Sequence, residues 1–124
     1  GSEMTIYIDG NAEISVDSSS SKAINLGFYY NSPFAIGMSA ADVRYFNGYV
    51  SEARVWKRAL TPTELKNNQC YVDPATAEGL IGYWRLDQVE DDGRTFTDLS
   101  GNGYHGKASS NPIWTGEIKC PVVD

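Results

Sequence analysis

The 124 residues, 41% of them hydrophobic, suffice for one domain with a real core and leave little for a second. Ten basic residues face sixteen acidic ones, a net charge of -6 with no basic run longer than Lys57-Arg58, which excludes nucleic acid and an anionic membrane surface as partners. No apolar stretch approaches bilayer length and the first residues lack a signal-peptide pattern, so direct membrane insertion is excluded too. Three Trp, eight Tyr, four Phe and twelve Gly, without apolar residues at sustained helical spacing, favour β-structure rich in turns.

Gly1-Ser2 reads as a cloning scar ahead of a fragment cut from a longer protein, whose targeting signal would have been left behind. Residues 5–16 predict a β-hairpin: Ile6 and Ile8 alternate with Thr5 and Tyr7, Asp9-Gly10 supplies the tight turn, and Ile14 and Val16 lie on the return strand. Residues 17–22 form a polar loop, 24–30 a strand that ends at the Asn31-Ser32-Pro33 turn, 34–38 a further short strand, and 39–42 a loop of small residues.

The best-defined unit runs from Tyr45 to Asn68. Over 49–57, Tyr49, Ser51, Ala53 and Val55 share one face of a strand while Val50, Glu52, Arg54 and Trp56 share the other. Thr61-Pro62-Thr63-Glu64 then combines a capping hydroxyl, proline in the first turn and Glu three residues after the cap, predicting a short helix that ends near Asn67 or Asn68. After a connector over 71–78, Leu80, Gly82, Trp84 and Leu86 alternate with Ile81, Tyr83 and Arg85 in a strand apolar on both faces, which should be buried. An acidic loop over 87–93 leads to a short extended piece at 94–97, then to the dense turn Asp98-Leu99-Ser100-Gly101-Asn102-Gly103. Two last strands are expected at 104–108 and 113–118. Nine or ten short strands with one helix near residues 62–68 predict an all-β fold, two packed antiparallel sheets in a sandwich or jelly roll.

Cys70 and Cys120 sit just after the helix and just before the end of the chain. A disulfide there would pin the C-terminal tail to the body of the domain; two buried free thiols are the alternative.

Residues 46–61, Phe-Asn-Gly-Tyr-Val-Ser-Glu-Ala-Arg-Val-Trp-Lys-Arg-Ala-Leu-Thr, resemble the closing segment of laminin-G-like modules of the concanavalin A-like lectin/glucanase superfamily. Ile6-Tyr7-Ile8-Asp9-Gly10 resembles the hairpin of such modules, and Ala35-Ile36-Gly37 one of their strands. Residues 79–87, Gly-Leu-Ile-Gly-Tyr-Trp-Arg-Leu-Asp, and 97–106, Thr-Asp-Leu-Ser-Gly-Asn-Gly-Tyr-His-Gly, are similar to the segment that opens such a module. The chain therefore reads as a single domain over 3–124 in which a closing half, 3–72, precedes an opening half, 79–124, without the middle strands. The arrangement also resembles C-terminal domains of unknown function in surface proteins of gut bacteria that harvest glycans. That resemblance implies a concanavalin A-like fold, an extracellular or outer-membrane location within a longer exported protein and adjacent domains as partners, and it agrees with a Cys70–Cys120 bridge.

Several residues admit two readings. Asp98 and Asn102, with turned-in carbonyls, would suit the hard oxygen ligands of a structural calcium, but a plain turn explains the same residues; no other cofactor is called for. Tyr29, Tyr30 and Tyr104 flank turns and could stack on a sugar ring, with Asp87, Glu90, Asp91 or Asn102 bonding its hydroxyls; Trp56, Trp84 and Trp114 among apolar neighbours read as core. Tyr29, Tyr30, Tyr104, Asp87 and Asn102 form the candidate glycan site. Glu52 and Arg54 make either an ion pair or, for Glu52, a catalytic carboxylate, yet glycoside hydrolysis needs two carboxylates across one cleft and no strand face offers a close pair. His105 reads as an exposed or structurally bonded imidazole, and no nucleophile elbow, zinc-protease helix or phosphate loop is present. The expected function is a non-catalytic accessory domain that binds glycan, or else a purely structural piece that completes or caps a neighbouring module.

Overall fold

The computed structural model describes residues 3–17, 33–38 and 44–109. In order these form β1 (Glu3–Ile8), β2 (Asn11–Asp17), β3 (Glu52–Trp56), α1 (Pro62–Asn67), β4 (Leu80–Arg85), β5 (Thr95–Phe96) and β6 (Gly106–Lys107). The strands pair into three antiparallel two-stranded sheets, β1 with β2, β3 with β4, and β5 with β6. The β-rich expectation with one short helix therefore holds, while the described residues do not assemble the two packed sheets of a sandwich. The expected strands at 24–30 and 113–118 and the loop at 39–42 fall outside the described residues, as does the loop expected at 17–22 apart from Asp17, which instead ends β2.

The first hairpin closes through Asp9 (φ 51°) and Gly10 (φ 76°). Two consecutive positive φ angles make the turn whose twist matches the strands it joins. Ile6 pairs with Ile14 and Thr5 with Ser15, and a bulge follows between Ile6 and Tyr7.

The strand expected over 49–57 is shorter, because its length is set by its partner. Ala53 faces Trp84 and Val55 faces Gly82, and the ladder is extended by Leu86 N–H to Ser51 O (2.8 Å) and Lys57 N–H to Gly79 O (2.8 Å). Residues 49 and 50 lie beyond the reach of β4. The strand expected over 34–38 is reduced to one bridge, Met38 to Tyr45, with Phe46 N–H bonded to Gly37 O (2.9 Å). A φ of 74° at Gly37 breaks the extended run.

Helix α1 begins with the expected reciprocal cap: Glu64 N–H donates to Thr61 Oγ1 (3.2 Å) and Thr61 N–H to Glu64 Oε2 (2.8 Å). The guanidinium of Arg58 grips both oxygens of Glu64 at 2.7 and 3.1 Å. That pairing with Arg58, followed by the backbone bond from Thr61, holds the Glu64 carboxyl down to about 2.

Glu52 and Arg54 form the expected ion pair rather than leaving a free carboxylate. Arg54 also donates to the carbonyls of Asn68 and Cys70, and its guanidinium lies 5.6 Å from the centre of the Tyr83 ring. The Tyr83 hydroxyl donates to Glu52 Oε2 (3.1 Å). One ion pair thus ties β3 to β4 and to the chain leaving α1. Burial, then the neighbouring Glu52 carboxylate, push the Tyr83 phenol above its ordinary value.

The core sits on β4. Leu80, Tyr83, Trp84, Phe96 and Val72 are the buried hydrophobic residues among those described, and Tyr83 is wholly enclosed. Each such side chain contributes about 1.5–3 kcal/mol when fully buried.

Candidate functional site

Trp84 forms the floor of the site. Its ring folds back over the β4 backbone, so that a Cβ at Gly82 would come within 2.4 Å of the indole; only glycine permits that approach. Phe34 stacks on Trp84 with ring centres 5.7 Å apart, and the indole N–H donates to Tyr104 O (2.7 Å). Trp84 is therefore core, as its apolar neighbours predict, and offers no free face to a ligand.

Above this floor opens a cavity of about 970 Å³, between residues 33–38, 45–51, β4 and the run from Tyr104 to Ser109. Its apolar lining includes Ile36, Val50, Val55 and Leu86. Tyr45, Tyr49 and Tyr104 also line it and remain 68%, 73% and 63% exposed. Tyrosine rings so placed present large apolar faces with a hydroxyl handle. Polar groups in the lining include Asp87, His105 and Lys107. Asp87 is held by Arg85 in a two-point pair at 2.6 and 3.1 Å, which fixes the carboxylate without burying it. His105 accepts the Asp98 N–H at Nδ1 (3.2 Å), so its neutral ring carries its proton on Nε2.

The structure brings together two of the predicted ligand residues, Tyr104 and Asp87, and places Asn102 elsewhere. Asn102 belongs to the dense turn, where its side-chain amide donates to Ile81 O (3.2 Å) and Ser100 Oγ (3.0 Å). Tyr29 and Tyr30 lie outside the described residues. Tyr45 and Tyr49 were not singled out from the sequence, although both flank Asn47-Gly48, the same turn signal that marked Tyr104. Phe34 and Lys107 had no such signal; only the approach of three separate segments puts them beside β4.

Asp98 is 4% exposed and accepts four bonds. Its Oδ1 receives the N–H groups of Tyr83 and Ser100 (2.9 Å each), and its Oδ2 the Ser100 hydroxyl (2.9 Å) and Tyr104 N–H (3.0 Å). Burial pushes the carboxyl up, but the bonds from Tyr83, Ser100 and Tyr104 outweigh it and hold Asp98 below its ordinary value. Gly101 (φ 84°) and Gly103 (φ 80°) let the chain wrap around this carboxylate. Both oxygens face hydrogen donors, and the Asn102 amide is turned to donate, so this donor set does not fit calcium, which needs oxygen lone pairs aimed inward. Among the described residues no cluster of three or more His, Cys, Asp or Glu could hold a metal.

No cysteine among the described residues is free, and Cys120 lies outside them. No helix among the described residues is long and apolar enough to cross a membrane.

A laminin G family model of the concanavalin A-like lectin/glucanases superfamily matches residues 1–66, more than half of the chain. The chain belongs to this superfamily. The laminin G match takes in β1, β2, β3 and all but the end of α1. Strands β4 to β6, and with them Trp84, Asp87 and Tyr104, lie beyond it. Comparison with curated proteins and with solved structures gave no match.

Proposed function

We propose that this laminin G-type chain is a non-catalytic accessory module of an exported bacterial surface protein, and that it holds glycan at the mouth of the cavity. The observation that carries the reading is the placing of Tyr45, Tyr49 and Tyr104, each more than half exposed, around one opening that also presents Asp87 and His105. A sugar ring stacks on tyrosine through its C–H face while its hydroxyls donate to a fixed carboxylate and accept from an imidazole N–H. Superfamily membership supports this, as does the chemistry of the lining: Asp87 is its single carboxylate among the described residues, whereas glycoside hydrolysis requires two. Export accords with a Cys70–Cys120 bridge, which two thiols reactive under denaturing conditions would refute.

The test is a glycan array followed by titration calorimetry on the folded chain. We expect Tyr104→Ala to weaken the retained glycan at least about tenfold, the loss of one stacking contact of about 1.5 kcal/mol. If no glycan or polysaccharide is retained at millimolar concentration while the chain is demonstrably folded, glycan binding is wrong.

A second reading is favoured by one observation: β3, in the segment that resembles a module's close, pairs along its length with β4, in the segment that resembles a module's opening. A purely structural junction, which completes or caps a neighbouring module within a two-sheet concanavalin A-like sandwich, would need that ladder and no ligand. A stable monomer whose unfolding is unchanged by an attached neighbouring module would count against it.

A further inference from the structure

The dipeptide Asn-Gly occurs twice in the chain, at Asn47-Gly48 and Asn102-Gly103, and each pair is followed by a tyrosine that lines the cavity, Tyr49 and Tyr104. Such a pair carries its own chemistry. Glycine has no side chain to block its backbone nitrogen and takes up backbone angles closed to other residues. That nitrogen can therefore reach the side-chain carbonyl of the preceding asparagine and close a five-membered ring. The glycine N–H proton passes to solvent, Nδ2 leaves as ammonia, and a succinimide remains. Water then opens the ring at either carbonyl. One product is aspartate; the other is isoaspartate, whose main chain runs through Cβ and Cγ and is one carbon longer. Water is the only other reactant, but the asparagine side chain must be free to turn towards its neighbour's nitrogen.

The structure separates the two pairs. Asn47 and Gly48 are exposed, and residues 47–50 enter no ladder among the described residues. The last backbone bond before them is Phe46 N–H to Gly37 O, and the first after them is Leu86 N–H to Ser51 O. Among the described residues no hydrogen bond holds the Asn47 side chain. Asn102 is exposed as well, yet it is held: Nδ2 donates to Ile81 O (3.2 Å) and Ser100 Oγ (3.0 Å). Ser100 Oγ is itself fixed, since its hydroxyl lies against Ile81 O (3.1 Å) and Asp98 Oδ2 (2.9 Å). Turning the Asn102 amide towards the Gly103 nitrogen breaks both side-chain bonds; turning that of Asn47 breaks none.

We propose that Asn47 is a modification site: spontaneous deamidation through Gly48 places a carboxylate, and in the isoaspartyl form an extra main-chain carbon, between Tyr45 and Tyr49 at the cavity mouth, while the same dipeptide at Asn102 is protected by the Asp98 turn. The added carbon falls between two rings of the opening, so conversion shifts Tyr49 relative to Tyr45. The site is independent of the glycan reading, and either can fail while the other stands.

The test incubates the full chain at mildly alkaline pH, folded and, in parallel, unfolded in guanidinium chloride. Peptide mapping by mass spectrometry follows both asparagines, with fragmentation that separates aspartyl from isoaspartyl products. In the folded chain Asn47 should convert at least about tenfold faster than Asn102, since two hydrogen bonds must break before the latter reacts. Unfolding should make the two rates similar. Asn47→Gln, whose longer side chain closes a ring far more slowly, should stop conversion at this position and leave circular dichroism unchanged. In the fully converted native chain the Tyr49 amide resonance should move while that of Tyr83 stays in place. Equal rates at both asparagines in the folded chain overturn the proposal, as does an Asn47 that stays intact when folded but converts when unfolded. A Tyr49 resonance unmoved by full conversion overturns it as well.

Discussion

The β4 region and the β1–β2 hairpin are both antiparallel two-stranded ladders, yet they solve opposite problems. Around β4, Tyr83 and Trp84 are buried and the next edge is covered by the Asp98 turn, whose carboxylate bonds the Tyr83 N–H while Leu99 N–H bonds Tyr83 O (2.7 Å). The hairpin has a better turn and a longer register, but its aliphatic face is exposed. Local chemistry makes a ladder; what lies on its face decides how much that ladder contributes to stability. The hairpin leaves its aliphatic face to solvent, whereas the β4 region buries its apolar side chains in the fold.

The sharpest way to break this comparison is to truncate equivalent side chains. We expect Trp84→Ala, or Tyr83→Ala, to cost about 3–5 kcal/mol in urea unfolding, and Ile6→Ala to stay within about 0.5 kcal/mol. A large cost at Ile6 would show that the hairpin face is covered within the chain itself.

Next in size is Asp98. Asp98→Ala strands three backbone N–H groups, on Tyr83, Ser100 and Tyr104, and is expected to cost about 3 kcal/mol. The unfolding midpoint of the native chain should be the same with and without a calcium chelator; a fall with chelator would show that the donor bonds yield to a metal.

How much of this was legible in advance differs by feature. The Asp9-Gly10 turn, the Thr61 cap and the dense Asp98 turn were readable because each is decided within about six residues by φ preferences and short-range bonds. The length of β3 was not, since Tyr49 and Val50 have the same alternation as the residues that do pair; only where β4 ends makes the difference. The cavity was half legible: exposure beside a turn pointed to Tyr104, whereas Phe34 joins it by stacking on a Trp fifty residues away.

Smaller effects follow from the paired carboxylates. The Thr95 hydroxyl, then the backbone N–H groups of Arg94 and Thr95, hold Asp92 down to about 2 from its ordinary 3.8, and Glu64 falls to about 2 from 4.5. A carboxyl depressed by folding stabilises the fold at every pH above its unfolded value and loses that contribution as pH falls toward the folded one. Stability should therefore be flat from pH 7 to about 5 and decline between about 4.5 and 2. Glu64→Gln should shallow the decline, because it removes one of the carboxyls that must be protonated. Thr61→Ala should cost about 1 kcal/mol from the lost cap. It should shift the thermal midpoint slightly without altering the slope of urea unfolding.

By itself the sequence determined the β-rich class, the hairpin, the capped helix and the tight turns, because short-range sterics and hydrogen bonding decide them whatever surrounds them. It also carried the superfamily, in the motifs of residues 1–66. The tertiary structure alone decided that β3 lies against β4, that Arg54 bridges the Glu52 carboxylate and the carbonyls after α1, and that three exposed tyrosines share one opening. It also decided which face of the hairpin meets water. Alternation along a strand fixes that two faces differ, but which of them is covered depends on what packs there, and that is a property of distant chain.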